Sequence, residues 1–239
     1  MYPITSAVKA LFDDEQRQVL RITGTDKNGV AISITDANVV MGGFNIDRFS
    51  CNGEKLEVGT AVAAEMTVRL NNVDGEYNDI VFEGAELFVE VGIADWSQAN
   101  PTVTYIPCGY FTPDEQPRRL STITLNALDR MTRFDQAQPA MVPWTDNHGN
   151  KITDNNNNII YFAAALEFPM TIADIVQYLC RICDVPLETN LTQMPGYDYI
   201  ITELPDLSSE ITARNIIQWC AGIMGSNAWI DWAGKLRFS

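Results

Sequence analysis

Apolar and polar residues alternate with a period of two along much of this chain. Met66-Thr67-Val68-Arg69-Leu70 is the cleanest case, the signature of a strand with one buried and one wet face. By this pattern strands are expected at Val19–Gly24, Val30–Ile34, Val39–Phe44, Lys55–Val58, Ala64–Leu70, Glu86–Ile93, Val103–Phe111 and Ser121–Ala127. Turn signals separate them: Asn28-Gly29, Gly42-Gly43, Asn52-Gly53, Asp74-Gly75 and Asn100-Pro101. Many short strands with frequent turns read as an antiparallel sandwich or barrel.

The period changes to 3.6 in three places. A short helix is expected over Ile4–Phe12, with Val8, Leu11 and Phe12 on one face. Over Thr171–Asp184 the apolar stripe is Ile172, Ile175, Val176, Leu179, Ile182 and Cys183. Thr171 and Asp174 form a capping-box start, and Pro186 ends the run. Over Thr212–Met224 the inward residues are Ile216, Ile217, Cys220, Ile223 and Met224, with Gly225 as the C′ glycine. The two longer helices align, Thr171-Ile-Ala-Asp-Ile-Val-Gln-Tyr against Thr212-Ala-Arg-Asn-Ile-Ile-Gln-Trp. Either a duplicated helix–strand unit or ordinary helix capping accounts for this. A final hairpin is expected over Ala228–Phe238, turning at Ala233-Gly234.

Composition shifts after Phe134. Residues 135–165 are rich in Pro, Asn and Asp around Asp154-Asn155-Asn156-Asn157-Asn158, which reads as a projecting loop or hairpin. The expected fold class is therefore α+β, mainly β. An antiparallel barrel-like domain over 1–134 precedes a smaller α/β domain over 135–239, which holds the Asn-rich loop and two amphipathic helices. The chain stops directly after the strand at Leu236–Phe238. Such an ending reads as a cut at a domain boundary.

Charge narrows the functional classes. The 239 residues carry 16 Lys+Arg and 31 Asp+Glu, a formal net charge of −15. Nonspecific nucleic-acid binding requires a basic face, so this balance opposes it. Hydrophobic residues make up 46%, too many for a disordered chain. Five cysteines suit a reducing compartment better than a disulfide scaffold. No signal peptide is apparent at the N-terminus, and no window approaches 18 uncharged apolar residues.

Candidate chemistry is sparse. Cys180-Arg-Ile-Cys183 has redox spacing but lies inside an amphipathic helix, and no second CxxC or His pair completes a zinc site. Cys51, Cys108 and Cys220 read as small hydrophobes. His148 is the single histidine and sits in the turn-like Asp146-Asn147-His148-Gly149-Asn150, a poor place for an oriented base. The pairs Asp13/Asp14, Asp74/Glu76 and Asp114/Glu115 flank turn signals and read as solvated loops. Neither the Asp146 nor the Asp154 segment has the ordered loop of a calcium site. No phosphate-binding glycine motif is present. No catalytic, cofactor or metal residue is therefore assigned, and no enzyme activity is expected.

One stretch resembles a known family. Ser121-Thr-Ile-Thr-Leu-Asn-Ala-Leu-Asp-Arg-Met-Thr-Arg-Phe-Asp135 resembles the strand and A-x-D-R-M-x-x-x-D segment of phage tail proteins of the baseplate-hub class. The opening Met1-Tyr-Pro-Ile-Thr-Ser-Ala is similar to theirs. So is the run from Ile211 to Leu236, which ends in Gly234-Lys235-Leu236. The resemblance implies a structural subunit at the distal end of the tail tube, with a core shared by type VI secretion spikes. It implies a trimer of the full-length protein, two tube domains per subunit, and a ring through which DNA passes unbound. The first tube domain would be 1–134, the adjoining domain 135–239, and the second tube domain would follow Ser239. Tube, tape-measure and distal tail proteins would be its partners. Its location would be the virion tail, assembled in the host cytoplasm. An acidic lumen would repel DNA phosphates, placing a share of the carboxylates on one concave face.

Two other readings stay open on the residues alone. A carbohydrate-binding sandwich would use exposed aromatics, with Trp96, Trp144 and Tyr161 as candidates. A hydrolase would set two carboxylates across a cleft.

Overall fold

The computed structural model describes residues 3–14, 16–48, 57–118, 120–136, 150–157, 168–203 and 211–239. It is mainly β and divides into two compact units. The first comprises Met1–Arg48, Ala63–Arg130 and Ile230–Gly234; the second comprises Phe49–Val62, Met131–Trp229 and Lys235–Ser239.

The first unit opens with helix α1 (Ser6–Asp13), capped by the Thr5 hydroxyl, which accepts from the Val8 amide. Seven strands follow: β1 (Gln18–Thr25), β2 (Ala31–Thr35), β3 (Val39–Asp47), β4 (Glu65–Asn71), β5 (Glu86–Ile93), β6 (Thr104–Pro113) and β7 (Thr122–Asp129). They form one antiparallel sheet in the order β2-β1-β5-β6-β7-β4-β3. Seven of the eight expected strands are present within a few residues of their expected limits. In the eighth, Lys55–Val58, residues 55 and 56 lie outside the described residues, and Glu57 and Val58 form no strand.

Register and burial agree. Val68 opposes Leu125 and Leu70 opposes Ile123; Ile22 lies between Ile34 on β2 and Val89 on β5. All of these are at most 2% exposed and belong to one core with Phe82, Leu87 and Phe111. A slip of one residue would turn this whole set to solvent, so the alternation fixes the pairing.

The sheet curls. β2 ends at Thr35 and β3 begins at Val39, joined by a single 3₁₀ turn, Asp36–Asn38. Four Cα steps span at most about 15 Å. The two strands occupy opposite edges, which in a flat seven-stranded sheet would lie about 29 Å apart. Among the described residues no ladder pairs β2 with β3, so the sheet bends without closing.

In the second unit the short helix α2 (Arg133–Gln136) precedes β8 (Met170–Thr171), α3 (Ile172–Ile182), β9 (Ile200–Ile201), α4 (Ala213–Ile223), β10 (Ala228–Ile230) and β11 (Leu236–Phe238). The expected cap at Thr171 is present, and Thr212 caps the other helix in the same way. The Thr171 hydroxyl accepts from the Asp174 amide at 3.1 Å, and Thr212 accepts from the Asn215 amide. Gly225 follows α4 with φ +64. The stripes differ from expectation at their edges. Cys180 is buried where Ile182 was expected, and Ile223 is 42% exposed. At 100° per residue both isoleucines fall about 90° from the centre of their helix's buried arc. Ala61 bridges to Ala228 and Leu187 to Leu236, both in parallel.

A buried carboxylate holds one end of the first unit. Asp26 is 5% exposed and accepts from the amides of Asn28 (2.8 Å), Val30 (2.8 Å) and Val81 (3.3 Å). Burial raises its carboxyl pKa, but the three amide donors outweigh that and hold it below the usual range. A lowered folded pKa stabilises the fold above the unfolded value near 4 and is lost as pH falls through the folded value. Asp26→Asn is therefore expected to flatten the acid limb of a stability–pH profile measured by urea melts. An unchanged limb would contradict this role.

Candidate functional site

The segment carrying the family resemblance lies at the end of β7 and builds a connected polar cluster. Asp129 is 3% exposed, and it pairs twice with Ala64. Its amide donates to the Ala64 carbonyl at 3.0 Å, while its Oδ2 accepts from the Ala64 amide at 3.0 Å. Arg130 turns the other way. Its Nε and Nη2 donate to Glu86 Oε1 (2.7 Å) and Oε2 (2.8 Å), a bidentate pair across the sheet. The guanidinium carbon lies 4.2 Å from the centre of the Tyr110 ring, within cation–π range. Nη1 donates to the Gly234 carbonyl at 3.3 Å.

Gly234 closes a turn whose own pattern is local. Its amide donates to the Asp231 carbonyl, and the Ala233 amide donates to Asp231 Oδ1 at 2.8 Å. Gly234 has φ +73, and a Cβ there would lie 2.6 Å from Arg130 Nη1 and 2.9 Å from Tyr110 Cδ2. Both conformation and space therefore demand glycine. Arg48 holds the same turn by donating to the Ile230 carbonyl at 3.1 Å, and it also donates to the Cys108 carbonyl. Two motif pieces about a hundred residues apart thus meet: Arg130 from one and Gly234 from the other. In the second unit Lys235 donates to Glu188 at 2.6 Å, and Leu236 is fully buried.

The cluster fixes geometry, and its polar groups are used on each other. Arg21 repeats the arrangement nearby: it donates to Glu90 at 2.7 Å and lies 3.7 Å from the Tyr105 ring centre. Sequence reading missed Glu86 and Glu90 as partners. Their signal was the alternation Glu86-Leu87-Phe88-Val89-Glu90, which puts both acids on the wet face of β5.

The expected chemical candidates are scattered. Cys180 and Cys183 are buried, and desolvation pushes both thiols up to about 12; Cys220 behaves alike. A redox thiol needs the opposite shift. Cys108 is half-buried and also raised by desolvation. Cys51, Asp146, His148, Trp144 and Tyr161 lie outside the described residues. The pairs Asp13/Asp14, Asp74/Glu76 and Asp114/Glu115 are exposed, and Asp13 is tied to Lys9. The Asp154 carboxylate accepts from the Asn156 amide in a local turn. Among the described residues no three His, Cys, Asp or Glu side chains are placed to hold a metal.

Three shallow cavities of about 310, 380 and 320 Å³ carry one carboxylate each: Asp36, Asp184 and Asp174. A two-carboxylate mechanism finds no pair in any of them. The Trp96 indole N–H donates to the Arg17 carbonyl at 2.7 Å, so its polar edge is engaged within the chain. No helix among the described residues is long and apolar enough to cross a membrane.

No protein-family model and no curated protein matches the sequence. Among solved structures the chain is similar to the prophage MuSo2 43 kDa tail protein from Shewanella oneidensis. The TM-score is 0.51 at 11% identity, covering 93% of this chain and 55% of that one. The likeness is one of fold, and the chain spans about half the length of that protein.

Two outcomes test the site. Gly234→Ala is expected to cost about 1–3 kcal/mol and Arg130→Lys about 1–2 kcal/mol in urea melts. The exposed control Arg118→Ala should stay within about 0.5 kcal/mol; equal effects at all three would refute the cluster. Cys180, Cys183 and Cys220 should resist a thiol reagent in the native chain and react in denaturant. Rapid native labelling of any of them would contradict the burial.

Proposed function

We propose that this chain is a structural subunit of a phage or prophage tail, placed in the hub or baseplate at the distal end of the tail tube. The observation that carries the reading is the fold likeness, over 93% of the chain, to a prophage tail protein. The Asp129–Arg130 and Gly234 contacts support it, because the residues that resemble the hub class serve to fix a backbone arrangement.

In this reading the curled sheet of the first unit is the tube domain, and the region 135–239 is the adjoining domain. Three full-length subunits form the ring. A seven-stranded sheet that bends without closing leaves strand edges at β2 and β3 for neighbouring subunits. Other tail proteins stack on the ring, and DNA slides through it without specific contact. The charge of −15 serves that passage by repelling phosphates. The chain performs no catalysis, and its location is the virion tail.

Electron microscopy of the full-length gene product is expected to show rings with threefold symmetry. Monodisperse monomers of that product at micromolar concentration would refute the hub assignment.

A further inference from the structure

The outer face of the β4–β7 ladder is polar from Thr67 to Asn71 and then changes character. Thr67 faces Asn126, Arg69 faces Thr124, and Asn71 faces Thr122. The next rung is Asn72 with Ser121, closed by the Asn72 amide donating to the Ser121 carbonyl at 2.8 Å. One step further, Val73 and Leu120 flank that rung. They are 71% and 60% exposed. Residues opposed in an antiparallel register point to the same side with Cβ atoms about 5 Å apart. Both lie just beyond the strand ends, Val73 two residues after Asn71 and Leu120 two before Thr122, and both side chains are exposed there.

Their exposure belongs to a rigidly held end. Asn72 is 5% exposed, and its Nδ2 donates to both the Leu120 carbonyl and Asn78 Oδ1 at 3.0 Å. Its Oδ1 accepts from the Tyr77 amide at 3.0 Å. The Gly84 amide donates to the Pro113 carbonyl, and Gln116 Nε2 donates to the Ile80 carbonyl at 3.1 Å. The loops after β4 and after β6 are thereby locked together.

These loops carry six exposed carboxylates: Asp74, Glu76, Asp79, Glu83, Asp114 and Glu115. None is in an ion pair among the described residues. Only Arg118 and Arg119 oppose them in the sequence of the two loops.

We propose that the Val73–Leu120 pair is a docking point for a different protein, one presenting an apolar pocket rimmed by Lys and Arg. Charge selects this occupant. A second copy of a chain at −15 brings like charges to the rim, and anionic lipid or nucleic acid does the same. The aliphatic pair supplies the buried anchor, and the carboxylates steer the approach. The inference goes beyond the tail reading and does not draw on it.

The test titrates the full chain with an amphipathic peptide of Lys and Leu, and with its counterpart carrying Glu at every Lys. Amide hydrogen exchange and affinity are both read. The Lys/Leu peptide is expected to protect residues 72–85 and 114–121, with affinity falling as salt rises. Val73→Ser with Leu120→Ser should weaken it about tenfold, and Glu83→Gln with Asp114→Asn should reduce the salt dependence. These positions are exposed, so the variants keep the fold. Equal binding of the Glu/Leu peptide, protection centred elsewhere, or unchanged affinity in the double serine variant would overturn the proposal. So would self-association of the free chain that the serine variant abolishes.

Discussion

Three residues, Asp36–Asn38, constrain the first unit more than any others. They join the strands at the two edges of a seven-stranded sheet, and a link that short cannot cross a flat sheet of that width. Bending follows, and with it a concave side that must be filled. Ile22, Ile34, Val68, Leu70, Leu87, Val89 and Phe111 fill it. The β3 bulge follows as well. Val39 opposes Leu70 but Phe44 opposes Val68, so extra residues are taken up where the edge strand must turn.

The polar side of the same sheet is organised by pairs that span strands. Arg130 with Glu86 and Tyr110, and Arg21 with Glu90 and Tyr105, each set a guanidinium between a carboxylate and a ring. Such contacts spend the donors and acceptors of these residues on one another. The three buried thiols point the same way, since desolvation keeps them protonated. Among the described residues these groups are committed to shape.

Much of this was legible in the sequence because it depends on period and on local chemistry. Glu65–Asn71 alternates so regularly that strand, face and register follow together. Thr171 and Thr212 announce their helices because a cap is a contact over three residues. What escaped depends on long-range placement. Nothing near Arg130 names Glu86, 44 residues earlier, or Gly234, 104 residues later. Asn72 and Asp26 stand beside turn signals with nothing local to mark them, yet each is buried and organises a loop end by accepting backbone amides. Ile223 failed for a geometric reason: a stripe centred between Ile217 and Cys220 leaves it on the rim.

The central claim is that the chain is built into a tail particle as a structural part. Quantitative mass spectrometry of purified tails from the host strain tests this most directly. The account predicts peptides of this chain in the particle at three copies per tail. Intact tails that lack it would contradict the account.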